Sequence, residues 1–211
     1  PFTTTCIYSL IHYLERAHGV YFAMGGTGKI VLELTKLLES IGVSVRLNTT
    51  VEKIKIDNSR ISEVIDSHGI VHKADVYVSN MDPLHLYKNL INKDRNPSIF
   101  FKKNFSKTSM GLFVLFFGTK KRYENVQHHT IIFGKEYKRL LKKIFKGNEL
   151  PDDISIYLHR PTATDKSFAP KNCDSFYALV PVPNLKANIN WSTSGNAFKS
   201  HVIKVLSDKI L

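Results

Sequence analysis

The spacing of apolar residues changes along the chain, and each change marks a predicted element. Over residues 27–41 apolar side chains recur every three or four positions, the period of an amphipathic helix. From Val43 to Ser79 the period falls to two, as in half-buried strands. We predict strands over 43–48, 51–56, 61–66, 70–73 and 74–79, of which the middle three form an antiparallel meander.

The same reading assigns elements to the rest of the chain. Residues 6–17 are predicted to be helical, and Asp82 and Pro83 form a helix start, because aspartate caps a helix and proline suits its first turn. The further predictions are a basic helical stretch at 84–107, strands at 109–118, 130–133, 154–159 and 175–182, and helices at 135–146 and from about 194.

A glycine-rich turn joins a β-prone run to the helix predicted at about 27–40. The run at 20–22 leads into Gly25, Gly26, Thr27 and Gly28, and an alternating segment follows the helix. Strand, glycine turn, helix and strand in this order are typical of a nucleotide-binding α/β layer. The spacing differs from the G-x-G-x-x-G fingerprint, so a plain strand-to-helix turn stays an alternative.

Composition limits the classes of protein and partner. The 211 residues are 43% apolar and 23% charged, which indicates a globular chain, and its net charge of +12 points to an anionic partner. Nucleic acid, an acidic membrane surface and a phosphate-bearing cofactor all qualify. Two distant cysteines exclude a disulfide scaffold and suit a reducing compartment. The longest apolar run, at 111–118, is far shorter than the ~20 residues of a membrane-spanning helix.

The stretch at 84–107 combines basic and aromatic residues. Phe100, Phe101 and Phe105 alternate with lysines, which fits a helix at a membrane surface better than a nucleic-acid site, because single-strand binders usually place their aromatic residues on a sheet. An ordinary solvated helix is the remaining alternative.

The adjacent pair His128 and His129 raises the question of a metal site. Neighbouring residues of a strand point to opposite faces, so we expect these two imidazoles not to share an ion, and no metal is predicted. Neither a nucleophile elbow nor a P-loop pattern occurs in the sequence.

Six segments in their order along the chain resemble one family. They are HGVYFAMGGTG at 18–28, VRLNTTVEKI at 45–54, ADVYVSNMDP at 74–83, LFVLFFG at 112–118, HHTIIFGKEYKRLLKKIF at 128–145 and ISIYLHRPTATDKSFAPKNCDSFYALVPVPN at 154–184. The chain resembles the middle of the bacterial-type phytoene desaturases, the carotenoid desaturase branch of the FAD-dependent, amine-oxidase-like flavoproteins. Because it opens on Pro1 and stops within a predicted helix, we expect a central part of a longer protein.

The resemblance implies an architecture of mixed α/β (α+β) class. Part of an FAD-binding, Rossmann-like domain with a small antiparallel meander is expected to be interleaved with a mixed-sheet substrate domain and membrane-associating helices. The implied division is a helical segment of the substrate part at 1–18, part of the FAD-binding domain at 19–80, and the substrate domain with its basic aromatic helices at 81–211.

The resemblance also implies cofactor contacts. Proline often precedes the glycine turn in this family, whereas this chain has Ala23. The catalytic acid or base is expected outside the chain, so no catalytic residue is assigned. The implied FAD-binding residues are Gly25, Gly26 and Gly28 at the turn, Val51 beside the adenine, and Ser79 and Asn80 near the adenosine half.

By the same resemblance the activity is the desaturation of phytoene or a shorter analogue. A hydride passes from an allylic C–C bond to the flavin, a proton leaves to a base or solvent, and oxygen or a quinone reoxidises the flavin. The implied partners are a long polyene lipid and a membrane surface, without nucleic acid, and the implied location is cytoplasmic and peripheral to the membrane. A carotenoid isomerase or saturase of the same family and a membrane-binding remnant without flavin stay open.

Overall fold

The computed structural model describes residues 6–91 and 109–210. The chain divides into two compact units, one made of residues 1–36 and 109–211, the other of residues 37–108. Each unit is described by itself below. The predicted division at residues 18 and 80 stays a prediction.

Two helices open the described chain. A 3-10 turn at Cys6–Tyr8 leads into α1, Ser9–His18, and α2 covers Thr27–Ser40 as its period predicts. Gly42 follows α2 with φ 88°, the left-handed conformation that glycine adopts without strain at a helix end. The apolar face predicted for α2 is exposed, at Ile30, Leu34, Leu37, Leu38 and Ile41.

The predicted meander forms in the second unit. It consists of β1, Val51–Asp57, β2, Arg60–Asp66, and β3, Val71–His72, which pair antiparallel in that order. Asn58 and Ser59 make the first hairpin turn with φ of 50° and 63°. Asparagine accepts this conformation more readily than most residues, so the sequence favours the turn.

The strands predicted at 43–48 and 74–79 are wrong for this structure. Both segments are irregular, and Val76 and Val78 are 75% and 92% exposed. A strand requires a hydrogen-bonded neighbour, and the described residues offer these segments none. The β-prone run at 20–22 is irregular for the same reason.

The predicted helix start at residue 82 is confirmed. The carboxylate of Asp82 accepts a hydrogen bond of 2.9 Å from the His85 N–H, and Pro83 begins the short helix α3, Pro83–His85. A π-helical segment, Leu86–Ile91, continues it. The aromatic part of the predicted basic stretch, with Phe100, Phe101 and Phe105, lies outside the described residues. Across the described residues, the helices are too short or too polar to cross a bilayer.

A four-stranded sheet forms the centre of the first unit. Its strands are β4, Gly111–Thr119, β5, His129–Ile132, β6, Ile156–His159, and β7, Asp174–Val182, in the spatial order β4-β7-β6-β5. All three pairings are antiparallel, which corrects the prediction of a mixed sheet. Two further helices are α4, Tyr137–Lys146, and α5, Trp191–Lys209.

One face of this sheet carries the core of the unit. The buried side chains of β7 alternate with half-buried ones along the whole strand, as expected where one face packs against a helix. Phe198, Val202 and Leu206 of α5 are buried in the same cluster, and the Phe113 and Phe198 rings meet edge to face at 5.1 Å. The architecture is therefore mixed α/β with antiparallel sheets.

A buried ion pair fastens the loops at one end of this sheet. Arg160 Nε donates to Asp174 Oδ2 at 3.0 Å, and Arg160 Nη1 donates to the Val126 carbonyl at 2.6 Å. Asp174 also accepts from the Thr162 hydroxyl at 2.6 Å and from the Tyr123 N–H at 2.7 Å. Burial raises the pKa of Asp174, but these hydrogen bonds outweigh burial and hold the pKa below its usual value.

In the second unit Asp66 closes the β2–β3 turn. Its carboxylate accepts hydrogen bonds from His72 Nε2 at 2.8 Å and from the N–H groups of His68 and Ile70 at 2.9 and 3.0 Å. The bond from His72 is the main reason why the pKa of Asp66 lies below its usual value; burial opposes it, and the two N–H groups reinforce it.

This carboxylate should make the turn sensitive to acid. Because the pKa is lower in the folded chain, the stabilisation is complete above about pH 4 and is lost as the pH falls through the folded pKa. Protection of the Ile70 amide from hydrogen exchange, corrected for intrinsic rates, should fall over that range. The same fall in an Asp66→Asn variant would contradict this assignment.

Candidate functional site

The second unit contains a cavity of about 660 Å³ beside the meander. Three of the predicted cofactor residues, Val51, Ser79 and Asn80, line it together with apolar side chains of β1 and β2. The structure thus brings together residues that are 28 positions apart in sequence. An apolar wall with a few polar groups suits a flat heteroaromatic ring, so the lining fits the adenine end of FAD.

The glycine turn belongs to the first unit, and only two of its glycines have special geometry. Gly25 and Gly26 have φ of 85° and 87°, whereas Gly28 is the second residue of α2. The Gly25 N–H donates to Asp165 Oδ2 at 2.9 Å. A Cβ added to Gly26 would lie 2.9 Å from Cζ of Phe168. The turn therefore requires glycine for its own folding, apart from any cofactor role.

Gly26 and Gly28 form a matched pair for mutation. Gly26→Ala should lower the free energy of unfolding by about 1–3 kcal/mol, because alanine would be strained at this φ and would collide with Phe168. Gly28→Ala should leave stability equal or raise it by up to about 1 kcal/mol, since no atom of the described residues lies within 4 Å of the added Cβ and alanine favours the helix. Urea unfolding measures both. Equal effects of the two substitutions would refute the special role of Gly26.

The second face of the four-stranded sheet presents an apolar surface. We call it the open face. Its side chains project from all four strands opposite the core, and several are largely exposed, among them Phe116 at 75% and Ile131 at 62%. The open face consists of Leu112, Val114, Phe116, His129, Ile131, Tyr157, His159, Tyr177, Leu179 and Pro181.

Histidines and tyrosines gather at one end of the open face. His159 pairs with Tyr177 on one side and with His129 on the other, and its ring centroid lies 4.5 and 5.4 Å from theirs. The His128 ring lies 4.5 Å from that of His129 and 4.7 Å from that of His159. The expectation that His128 and His129 point to opposite faces is therefore wrong. The reason is local: His128 precedes β5 and does not follow the alternation of the strand.

The surroundings disfavour the charged form of two of these imidazoles. Burial lowers the pKa of His159 to about 4, with help from the neighbouring His128 and His129, and the pKa of His128 is lowered by burial and then by His129. Burial and a hydrogen bond with Tyr177 raise the pKa of Tyr157 to about 12. Nδ1 of His159 is buried and has no hydrogen-bond partner among the described residues.

The strand pairing decides this cluster, and sequence reasoning missed it. His128 and His159 are 31 positions apart, and no motif spacing links them. The one signal in the sequence was that the strands predicted at 130–133 and 154–159 each have a histidine at or beside one end. Only the antiparallel register places those ends side by side.

Comparison with known proteins identifies the class. The family described as flavin containing amine oxidoreductase matches residues 2–156, so the chain belongs to this family of flavoproteins, whose members bind FAD. The flavoprotein family that the resemblance implied is thereby confirmed.

Particular relatives narrow the class further. The chain is 38% identical over 216 residues to a lycopene-forming phytoene desaturase of Pseudescherichia vulneris and 40% identical over 213 residues to one of Paracoccus sp.. It is 39% identical over 218 residues to a neurosporene-forming phytoene desaturase of Rhodobacter capsulatus. Each alignment covers 100% of this chain and 42–43% of the relative. The chain therefore spans about two fifths of the length of the curated relatives it matches.

Proposed function

We propose that the complete protein is an FAD-dependent desaturase of phytoene or a related carotenoid precursor. The observation that carries the proposal is the match of the whole chain, at 38–40% identity, to phytoene desaturases of three organisms. When bound, FAD would accept a hydride from an allylic C–H bond while the adjacent carbon loses a proton, which leaves a new double bond.

The open face supports this proposal through its chemistry. A polyene is a long hydrocarbon without hydrogen-bonding groups, so its binding surface should be apolar and extended. Val114, Leu179 and Tyr157 lie side by side across three strands, and Ile131 continues the row onto the fourth. These residues would hold the substrate by excluding water along its length.

The cavity of the second unit supports the cofactor assignment. Val51 would contact the adenine, and Ser79 and Asn80 would offer polar atoms to the adenosine half. We further propose that the turn at Gly25, Gly26 and Gly28 packs near the bound cofactor, and that oxygen or a quinone receives the electrons. Association with a membrane surface, from which the substrate would enter, belongs to the same proposal.

Expression of the complete gene in a phytoene-producing host tests the activity. Desaturation should shift the absorption bands of the extracted pigment to longer wavelengths, and the extent of the shift counts the new double bonds. An unchanged spectrum from a protein with bound flavin would contradict desaturation and favour an isomerase or saturase. A purified protein without flavin absorbance would favour a remnant.

A charge at Val51 should reduce flavin binding specifically. Val51→Glu would put a carboxylate against the adenine ring, and we expect flavin affinity to fall at least about tenfold. Val71→Glu is the matched control, because Val71 is a half-exposed strand residue of the same meander outside the cavity lining. The flavin-to-protein absorbance ratio of the purified variants measures the effect. Equal ratios for the two variants would remove Val51 from the cofactor site.

A further inference from the structure

The three histidines at the end of the open face are close enough to share one ligand. His129 and His159 are directly opposed in the β5–β6 pairing, so their side chains leave the sheet on the same side. The His128 carbonyl accepts a hydrogen bond from the Arg160 N–H at 2.9 Å, which fixes the backbone beside them. One ring nitrogen from each histidine lies within 4.8 Å of the other two.

We propose that His128, His129 and His159 bind a divalent transition-metal ion of the Zn²⁺ class. Three imidazoles with no carboxylate are a donor set that Zn²⁺, Cu²⁺ and Ni²⁺ accept readily and that Mg²⁺ and Ca²⁺ do not. The inference is independent of the desaturase activity, because it depends only on the geometry of these side chains.

The distance between His128 and His159 requires a small adjustment. Nε2 of His128 and Nε2 of His159 are 2.8 Å apart, the length of a hydrogen bond between the two rings. In a tetrahedral zinc site with Zn–N bonds of about 2.0–2.1 Å, ligand nitrogens lie about 3.3 Å apart. The two rings would separate by about half an ångström, which rotation about their side-chain bonds supplies.

Neighbouring hydroxyl groups orient two of the rings for this role. The Thr164 hydroxyl is hydrogen-bonded to Nδ1 of His128, and the Tyr157 hydroxyl lies 2.6 Å from Nδ1 of His129. Both bonds leave Nε2 available to an ion. Such bonds to the second ring nitrogen are typical of histidine ligands in metal sites, where they fix the orientation of the ring.

Access and coordination number follow from the same arrangement. His129 is exposed, so an ion can reach the cluster from the open face. Three protein ligands leave a fourth tetrahedral position for water or another small ligand. An ion here would also link β5 to β6 and to the segment before β5, and should stabilise this edge of the sheet against unfolding.

Metal titration of the complete protein tests the proposal. After treatment with a chelator, the protein should bind one Zn²⁺ per chain in isothermal titration calorimetry, and Co²⁺ should give the strong visible absorption of tetrahedral coordination. His129→Gln and His159→Gln should each weaken Zn²⁺ binding at least about a hundredfold, and Thr164→Val, which removes an orienting bond, by about tenfold.

His68→Gln is the matched control, because His68 is a largely exposed histidine of the other unit. This variant should bind Zn²⁺ as the wild type does. Circular dichroism checks that each variant is folded. If His159→Gln unfolds, the Zn²⁺ affinity of His129→Gln alone tests the site, because His129 is exposed and its replacement should not disturb the fold. Absence of one-to-one binding to the wild-type protein, or equal affinity in the wild type and His129→Gln, would overturn the proposal.

Discussion

Replacing Arg160 by methionine should lower the free energy of unfolding of this protein by about 3–5 kcal/mol, the largest loss of stability that we expect from a single substitution. The guanidinium is 2% exposed, and Asp174, its partner at 3.0 Å, is equally buried. Methionine fills a similar volume but leaves the buried Asp174 carboxylate with the more distant guanidinium of Arg122, at 4.0 Å, as its cation. It also removes the donor to the Val126 carbonyl.

An exposed ion pair provides the control. Arg139 and Glu136 form a pair of 2.8 Å on α4 with both side chains more than half exposed. Arg139→Met should therefore change the free energy of unfolding by less than about 1 kcal/mol. Urea unfolding of the complete protein compares the two variants. If Arg160→Met proved as mild as Arg139→Met, the buried pair would contribute nothing to stability.

Placing a lysine at Val114 should reduce carotenoid desaturation by at least about a hundredfold, provided that the proposed function is correct. Val114 lies on β4 in the open face, opposite Leu179 of β7. A hydrocarbon bound there would cover the ammonium group and remove its water, which costs several kcal/mol. Pigment formed per unit of folded, flavin-containing protein measures the loss.

Leu185→Lys introduces the same charge at a site that is 89% exposed and lies outside the sheet. We expect this variant to keep its activity. Comparable activity of the two variants would show that the substrate does not contact the open face. Because activity is counted per unit of folded, flavin-containing protein, a loss of folding alone in Val114→Lys would leave the measured activity unchanged.

Local signals were sufficient for most of the helices and for the paired strands. The apolar period of α2, the Asp82–Pro83 helix start and the turn at Asn58 act over a few residues, and each appears where the sequence predicts it. Prediction failed at 43–48 and 74–79. Their alternating pattern favours a strand. A strand also needs a second strand to pair with, and the local pattern does not determine whether one is present.

The candidate sites show the same division. Sequence and resemblance together indicated Val51, Ser79 and Asn80, and the structure adds that one cavity contains all three. For Gly26 the sequence indicated a turn and the resemblance implied a cofactor contact, and the structure adds that its φ and the neighbouring Phe168 require glycine. The fold thus supplies a reason for this glycine that does not depend on the cofactor.

By itself the sequence determined the family, the flavoprotein class and the elements that form from short-range periodicity. Tertiary structure alone decided which distant residues meet: the Arg160–Asp174 pair, the open face of the sheet, and the cluster of His128, His129 and His159. The physical reason is register. Side-chain alternation depends on neighbours in sequence, whereas contacts across strands depend on which residues the hydrogen-bonded ladders place opposite one another.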